Sequence, residues 1–131
     1  MSALVVDNSL VLYVLLNGDG NDVLRRRLSA PRTLHAPHVI DYEFSNALRG
    51  LWLGKKVDLD TAHAARSDFD DLHIQRYPGS VTADRTWDLR NNFTAYDAAY
   101  IALAEQLDCP LLTGDAKLRG AHRAVVEVVP V

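Results

Sequence analysis

Short apolar runs alternate along the chain with longer segments in which apolar residues recur at helical spacing. The short runs predict strands at residues 4–6, 33–36, 73–77, 110–113 and 124–131. The longer segments predict helices at residues 10–16, 21–29, 39–53, 58–72, 81–91 and 95–107, with a further short helix after Asp115. Alternating strands and helices are typical of an α/β domain. The runs at 4–6 and 111–113 are continuously apolar, as expected when helices cover both faces of a sheet. We therefore predict a three-layer α/β/α sandwich with a mainly parallel sheet of four or five strands.

The composition is that of an ordinary globular domain. The 131 residues are 48% hydrophobic and 24% charged, which suits one domain over residues 1–131 with a core of its own. The single Cys109 excludes an internal disulfide and suits a reducing compartment. The longest apolar run, Leu10 to Leu16, is far short of the roughly 20 residues that span a bilayer, and no basic leader precedes it. We expect a cytoplasmic protein with no membrane partner.

Charge and histidine spacing narrow the possible chemistry. A net charge of −3 argues against a protein that coats nucleic acid non-specifically. It leaves open an enzyme that acts on nucleic acid, because acidic metal ligands lower the net charge without removing local basic residues. The five histidines show neither HxH nor HExxH spacing, so packing or surface roles are favoured over metal binding.

Two carboxylates follow strands of the predicted sheet. Asp7 comes directly after the run LVV, and Asp115 ends the stretch PLLTGD. In open parallel sheets, ligands bind outside the carboxyl ends of the strands. Both acids are therefore expected at the same edge of the sheet.

Two further carboxylates lie on predicted helices. In the segment VIDYEFSNALRGLW, Glu43 comes three residues after Ile40 and four before Ala47, so it projects from the inward apolar stripe, whereas Asp41 is better placed for solvent. Asp97 opens the apolar helix at 95–107, and its side chain is expected to point back toward the edge of the sheet. A buried glutamate is costly without a partner.

Each acid also has a purely structural interpretation. Asp7 and Asp115 could cap the helices that follow them, Thr94 and Asp97 resemble a capping box, and Glu43 could pair with an arginine. The convergence of four acids from four segments favours a functional site instead. Crowded carboxylates repel one another, and a hard divalent cation such as Mg²⁺ or Mn²⁺ would remove that conflict.

Three blocks of sequence, taken together, resemble the PIN-domain nucleases and, among them, the VapC toxins of VapBC toxin–antitoxin pairs. The most specific is TAYDAAYIALAEQLDCPLLTGDAKL at residues 94–118. The opening LVVDNSLVLYVLL and the central APHVIDYEFSNALRG match the same pattern. The resemblance covers essentially the whole chain, and it implies a single PIN domain.

The resemblance also implies an activity and its residues. Proteins of this family cleave RNA with Mg²⁺ or Mn²⁺, and transfer or ribosomal RNA would be the substrate here. A VapB-type antitoxin and a second toxin subunit would be the protein partners. The catalytic residues and metal ligands would be Asp7, Glu43, Asp97 and Asp115, with Ser9 and Thr113 supporting them by hydrogen bonds or serving only a turn or cap. Some relatives carry a further acid where this chain has Ala116, Lys117 and Arg119, which leaves the number of metal ions open.

Two other functions compete with this interpretation. A non-catalytic interaction module would use the four acids only as helix caps. A receiver-like or phosphatase-like α/β domain also gathers acids at a sheet edge. That second alternative fits poorly, because Asp7-Asn8-Ser9 offers no second carboxylate and Lys117 lies in a predicted helix rather than directly after a strand.

Overall fold

A single parallel sheet forms the centre of the molecule. The computed structural model describes residues 2–17, 22–29 and 32–129. Within them the sheet has five strands in the order β3-β2-β1-β4-β5, and every neighbouring pair is parallel. The strands are β1 (Ser2–Val6), β2 (Arg32–Pro37), β3 (Ile74–Tyr77), β4 (Leu111–Thr113) and β5 (Val126–Val128).

Helices cover both faces of this sheet. They are α1 (Asn8–Leu16), α2 (Asp22–Leu28), α3 (Val39–Leu53), α4 (Leu59–Asp71), α5 (Ala83–Asp88) and α6 (Ala95–Leu107), with short 3₁₀ turns at Gly79–Val81 and Ala116–Leu118. Helices α1, α3 and α4 pack against one another, and α5 packs against α6, so the helices form two layers. The predicted α/β/α sandwich is confirmed. No helix in the described part of the chain has the length and apolar character needed to cross a bilayer.

Most predicted elements occur where the periodicity placed them, and α3 and α6 have the predicted bounds. Three predicted elements differ most from the structure, two in length and one in helix type. The helix predicted at 81–91 is regular only over Ala83–Asp88, since the chain continues in turns closed by bonds such as that from the Asn92 N–H to the Leu89 carbonyl. The helix predicted after Asp115 is a 3₁₀ turn. The final strand pairs only over Val126–Val128, because its neighbour β4 is equally short, and residues 130–131 of that prediction lie outside the described part of the chain.

The core lies between the sheet and α1, α3, α4 and α6. Its centre includes fully buried side chains of β1, α3 and β4, such as Val5, Ile40 and Leu111. Phe44 of α3 stacks on Phe69 of α4 with ring centroids 4.0 Å apart and an interplanar angle of 6°. This packing fixes α3, and with it the predicted site residue Glu43, against α4.

A buried carboxylate that the sequence analysis did not single out ties the segment before β5 to the helical layer. The side chain of Glu105 is only 1% exposed. Its two oxygens accept hydrogen bonds from Arg85 Nε (2.6 Å) and Nη2 (3.0 Å), and Oε2 also accepts from the Arg123 backbone N–H (2.7 Å). Hydrogen bonding to Arg85 holds the pKa of Glu105 below its usual value. The ion pair therefore joins α5, α6 and the approach to β5.

Candidate active site

The first and last predicted acids, Asp7 and Asp115, follow the carboxyl ends of two neighbouring strands, β1 and β4. Strands β1 and β4 pair through Val5 with Leu111 and Val6 with Leu112. The Asp7 backbone N–H extends this ladder by donating to the Leu112 carbonyl at 3.3 Å. This register brings the residues that follow the two strands to one point on the edge of the sheet.

The Asp7 carboxylate is buried and held by three donors. Oδ1 accepts from the Ser9 hydroxyl (2.9 Å) and from the Leu10 backbone N–H (3.1 Å), so Asp7 is also the N-cap of α1. Oδ2 accepts from the Thr113 hydroxyl at 2.5 Å. The side chain is therefore fixed in orientation before any ligand binds.

Thr113 connects the first acid to the last. While its hydroxyl donates to Asp7, its oxygen accepts from the Asp115 backbone N–H at 2.9 Å. Asp115 in turn caps the following 3₁₀ turn, because its Oδ1 accepts from the Lys117 N–H at 3.0 Å. Asp7 and Asp115 therefore both cap a helix and lie at the edge of the sheet, so the capping role does not exclude a functional one.

Glu43 lies half-buried on α3, and its hydrogen bond comes from a tyrosine. The Tyr100 hydroxyl donates to Glu43 Oε1 at 2.6 Å. Tyr100 is buried on α6. This burial, together with the hydrogen bond to Glu43 and the charge of that carboxylate, raises the pKa of the phenol far above its usual value. Tyr100 thus joins α6 to α3.

Asp97 stands in the first turn of α6, partly exposed. The Thr94 hydroxyl accepts from the Asp97 backbone N–H at 3.1 Å, which is one half of the predicted capping box. Tyr100 follows Asp97 by one helical turn, so the two residues lie on neighbouring parts of the same side. That spacing is the signal by which Tyr100 could have been found, although only the fold reveals its partner.

Burial and mutual repulsion act on these acids. Burial raises the pKa of Asp7, against the hydrogen bonds from Thr113, Leu10 and Ser9, and the charge of Asp115 raises it further. Burial also raises the pKa of Glu43, against the hydrogen bond from Tyr100, and the charges of Asp97 and Asp7 add to this effect. The four predicted acids therefore lie within electrostatic reach of one another, in a chain from Asp115 through Asp7 and Glu43 to Asp97.

The donor chemistry of this set fits a hard divalent cation. All four side chains offer carboxylate oxygens, the ligands that Mg²⁺ and Mn²⁺ prefer. As the side chains stand, however, no group of three or more Asp, Glu, His or Cys residues among those the structure describes is arranged to hold a metal ion. The backbone thus gathers the acids in one region, and the ligand geometry itself stays a prediction.

The parallel α/β/α fold and the acids at one edge of its sheet agree with a known family of domains. The family model of the PIN domain matches residues 4–123. Among solved structures, the chain is similar to a toxin–antitoxin complex from Klebsiella pneumoniae, with a TM-score of 0.67, 21% identity, and coverage of 96% of this chain and 97% of the other.

Two relatives narrow the class. Ribonuclease VapC9 of Mycobacterium tuberculosis is 39% identical over 129 residues, covering 97% of this chain and 98% of the relative. Ribonuclease VapC1 of the same species is 39% identical over 129 residues, covering 98% of this chain and 97% of the relative. The chain belongs to the VapC ribonucleases of the PIN-domain family. The predicted resemblance is confirmed, and it decides against a receiver-like or phosphatase-like domain.

Proposed function

We propose that this chain is the toxin of a toxin–antitoxin pair and that it hydrolyses phosphodiester bonds of RNA with Mg²⁺ or Mn²⁺. The proposed catalytic residues and metal ligands are Asp7, Glu43, Asp97 and Asp115. The observation that carries the proposal is the junction at which Thr113 hydrogen-bonds to the carboxylate of Asp7 and to the backbone of Asp115. A helix cap alone needs no such connection between two chain segments. The family to which the chain belongs supports the same activity.

The four carboxylates would hold the cation, and hydrogen bonds from neighbouring side chains would orient Asp7 and Glu43. When bound, the cation supplies activation of a water and stabilisation of the charge that develops on the phosphoryl group. Ser9 and Thr113 fix the plane of the Asp7 carboxylate, and Tyr100 fixes that of Glu43. Because burial and like charges raise the pKa of Asp7 and Glu43, binding a cation favours their ionised forms and should release protons.

The partners and location follow from the same proposal. Transfer or ribosomal RNA in the cytoplasm would be the substrate. A VapB-type antitoxin would bind the chain, as supported by the likeness to a toxin–antitoxin complex, and two toxin subunits would pair. The chain would act as a single PIN domain over residues 1–131.

Cleavage of total RNA by the purified chain tests the proposal. We expect discrete products with Mg²⁺ or Mn²⁺ and none with chelator. Asp97→Asn should lower the rate at least about a hundredfold, which corresponds to about 2.7 kcal/mol of barrier, because it removes one charge from the cation site. Asp68→Asn is the matched control, since Asp68 is an exposed acid on α4, and it should cleave like the unaltered chain.

Binding of Mn²⁺, measured by calorimetry without RNA, separates the remaining outcomes. Weaker Mn²⁺ binding by Asp97→Asn than by Asp68→Asn supports the ligand assignment independently of activity. A folded chain that neither binds Mn²⁺ nor cuts RNA would instead be the non-catalytic interaction module. Equal cleavage by the two variants would remove Asp97 from the site.

Tyr100→Phe is expected to lower kcat/KM about tenfold while the variant stays folded. The ring still fills its buried position, but Glu43 loses its 2.6 Å hydrogen bond and with it a fixed orientation. Tyr77→Phe is the matched control, because it removes a 2.8 Å hydrogen bond between the Tyr77 hydroxyl and His35. Initial rates and urea unfolding should be measured for both. If Tyr77→Phe lost as much activity as Tyr100→Phe, the loss would not be specific to Tyr100, and the proposed role of Tyr100 in orienting Glu43 would be wrong.

A further inference from the structure

The geometry points to a nucleotide-binding groove beside the acids, in which unpaired bases of the RNA substrate stack on Tyr42 and Tyr96. This inference rests on the proposed function and adds to it a binding site for RNA bases, which lies beside the acids and includes Glu43 in its wall. The groove lies between α3 and the start of α6 and has a volume of about 700 Å³. Its lining includes Val39, Tyr42, Glu43, Asn46, Arg49 and Tyr96. Because Glu43 is part of the wall, a strand that lies in the groove reaches the acids.

Two exposed aromatic rings face this groove from different helices. Tyr42 of α3 is 78% exposed and Tyr96 of α6 is 63% exposed. Large exposed aromatic side chains at a concave site indicate a binding surface more than a packing role. Aromatic rings provide stacking platforms for the bases of single strands, with little dependence on sequence.

The remaining side chains of the α3 face suit RNA. Tyr42, Asn46 and Arg49 are spaced i, i+4 and i+7, so they form one stripe about 10 Å long. The stripe offers a ring for stacking, an amide for base edges and a guanidinium for a phosphate.

The same composition predicts a particular binding mode. The whole chain carries a net charge of −3, and Arg49 is the one cationic side chain among the described residues that line the groove. Few phosphate contacts give a shallow dependence of affinity on salt. Stacking requires bases that are not already stacked in a duplex. The groove should therefore favour single-stranded RNA, with a weak salt effect.

Fluorescence anisotropy with a labelled single-stranded RNA of mixed sequence tests the groove, with chelator present to prevent cleavage. Tyr42→Leu and Tyr96→Leu should each weaken binding roughly tenfold, whereas Tyr42→Phe and Tyr96→Phe should stay close to the unaltered chain because the ring remains. Trp87→Leu is the control, since Trp87 is 67% exposed on α5 outside this groove. The same RNA annealed to its complement should bind more weakly than the single strand.

Each other outcome has a definite meaning. If the leucine variants bind RNA as tightly as the unaltered chain, the proposal that RNA bases stack on Tyr42 and Tyr96 is wrong. Leucine variants that change the sedimentation coefficient but not RNA binding also overturn it, because the rings then contact a second copy of the chain. Ring-dependent binding by a chain that does not cleave total RNA with Mg²⁺ supports the groove and contradicts the proposed nuclease. Cleavage with ring-independent binding contradicts the groove alone.

Discussion

Replacing Asp7 with asparagine is expected to abolish RNA cleavage while leaving the protein as stable as before or more stable. Asparagine is as good an N-cap as aspartate, so the bond from the Leu10 N–H is retained. The substitution removes the negative charge, which the proposed cation site requires. It also reverses the hydrogen bond with Thr113, whose hydroxyl oxygen then accepts from the asparagine amide. Burial raises the pKa of Asp7, so the ionised form costs folding free energy that a neutral amide does not.

The sign of the pH dependence follows from this raised pKa. Below about pH 3.8, the usual value, Asp7 is protonated in both the folded and the unfolded chain, and the variant has no electrostatic advantage. As the pH rises through the folded pKa, the unaltered chain loses stability relative to Asp7→Asn. Urea unfolding at pH 3.5 and pH 7, beside initial cleavage rates, measures both effects.

Asp58→Asn is the matched control for this variant. Asp58 caps α4 through a 2.7 Å bond from the Thr61 N–H, but it is exposed and distant in sequence from the other acids. It should change neither cleavage nor stability by a large amount. If Asp7→Asn lost more than about 2 kcal/mol of stability at pH 7, Asp7 would be chiefly a structural residue.

Phe44→Ala is expected to lower the free energy of unfolding by about 3–5 kcal/mol. The side chain is fully buried and stacks on Phe69, so truncation leaves a cavity between α3 and α4 as well as removing apolar contact. Urea unfolding measures the change. Leu53→Ala, at the exposed end of the same helix, should cost less than about 1 kcal/mol. A loss below about 2 kcal/mol for Phe44→Ala would mean that the two helices close over the gap.

Local patterns predicted the parts of the fold that local physics determines. Helix α3 has the predicted bounds because its apolar spacing is regular and Gly54 follows it, and α6 begins at a Thr94 cap. The placement of Asp7 and Asp115 at one edge also followed from sequence, since parallel strands share the direction of their carboxyl ends. These predictions needed only the period of the pattern and the chain direction.

The missed features depend on contacts between distant segments. Tyr100 binds Glu43 across 57 residues of sequence, and Arg85 meets Glu105 from another helix. In the sequence, both Tyr100 and Glu105 look like ordinary positions of the apolar helix predicted at 95–107. Their roles depend on how α6 is rotated against its neighbours, which packing decides. For the same reason the sequence indicated which acids meet, but not how their oxygens are arranged.

The order of strands in the sheet also determines when, during synthesis of the protein, the proposed active site is complete. Strand β1 is made first, yet its neighbour β4 comes near the end of the chain, where Val5 pairs with Leu111. Residues emerge at about 5–20 per second, starting from the N-terminus. Thr113 and Asp115 are therefore absent while most of the polypeptide is being translated. On the proposed function, the ribosome and the message being read are the nearest RNA, and the nascent chain cannot cut them until its final segment has emerged.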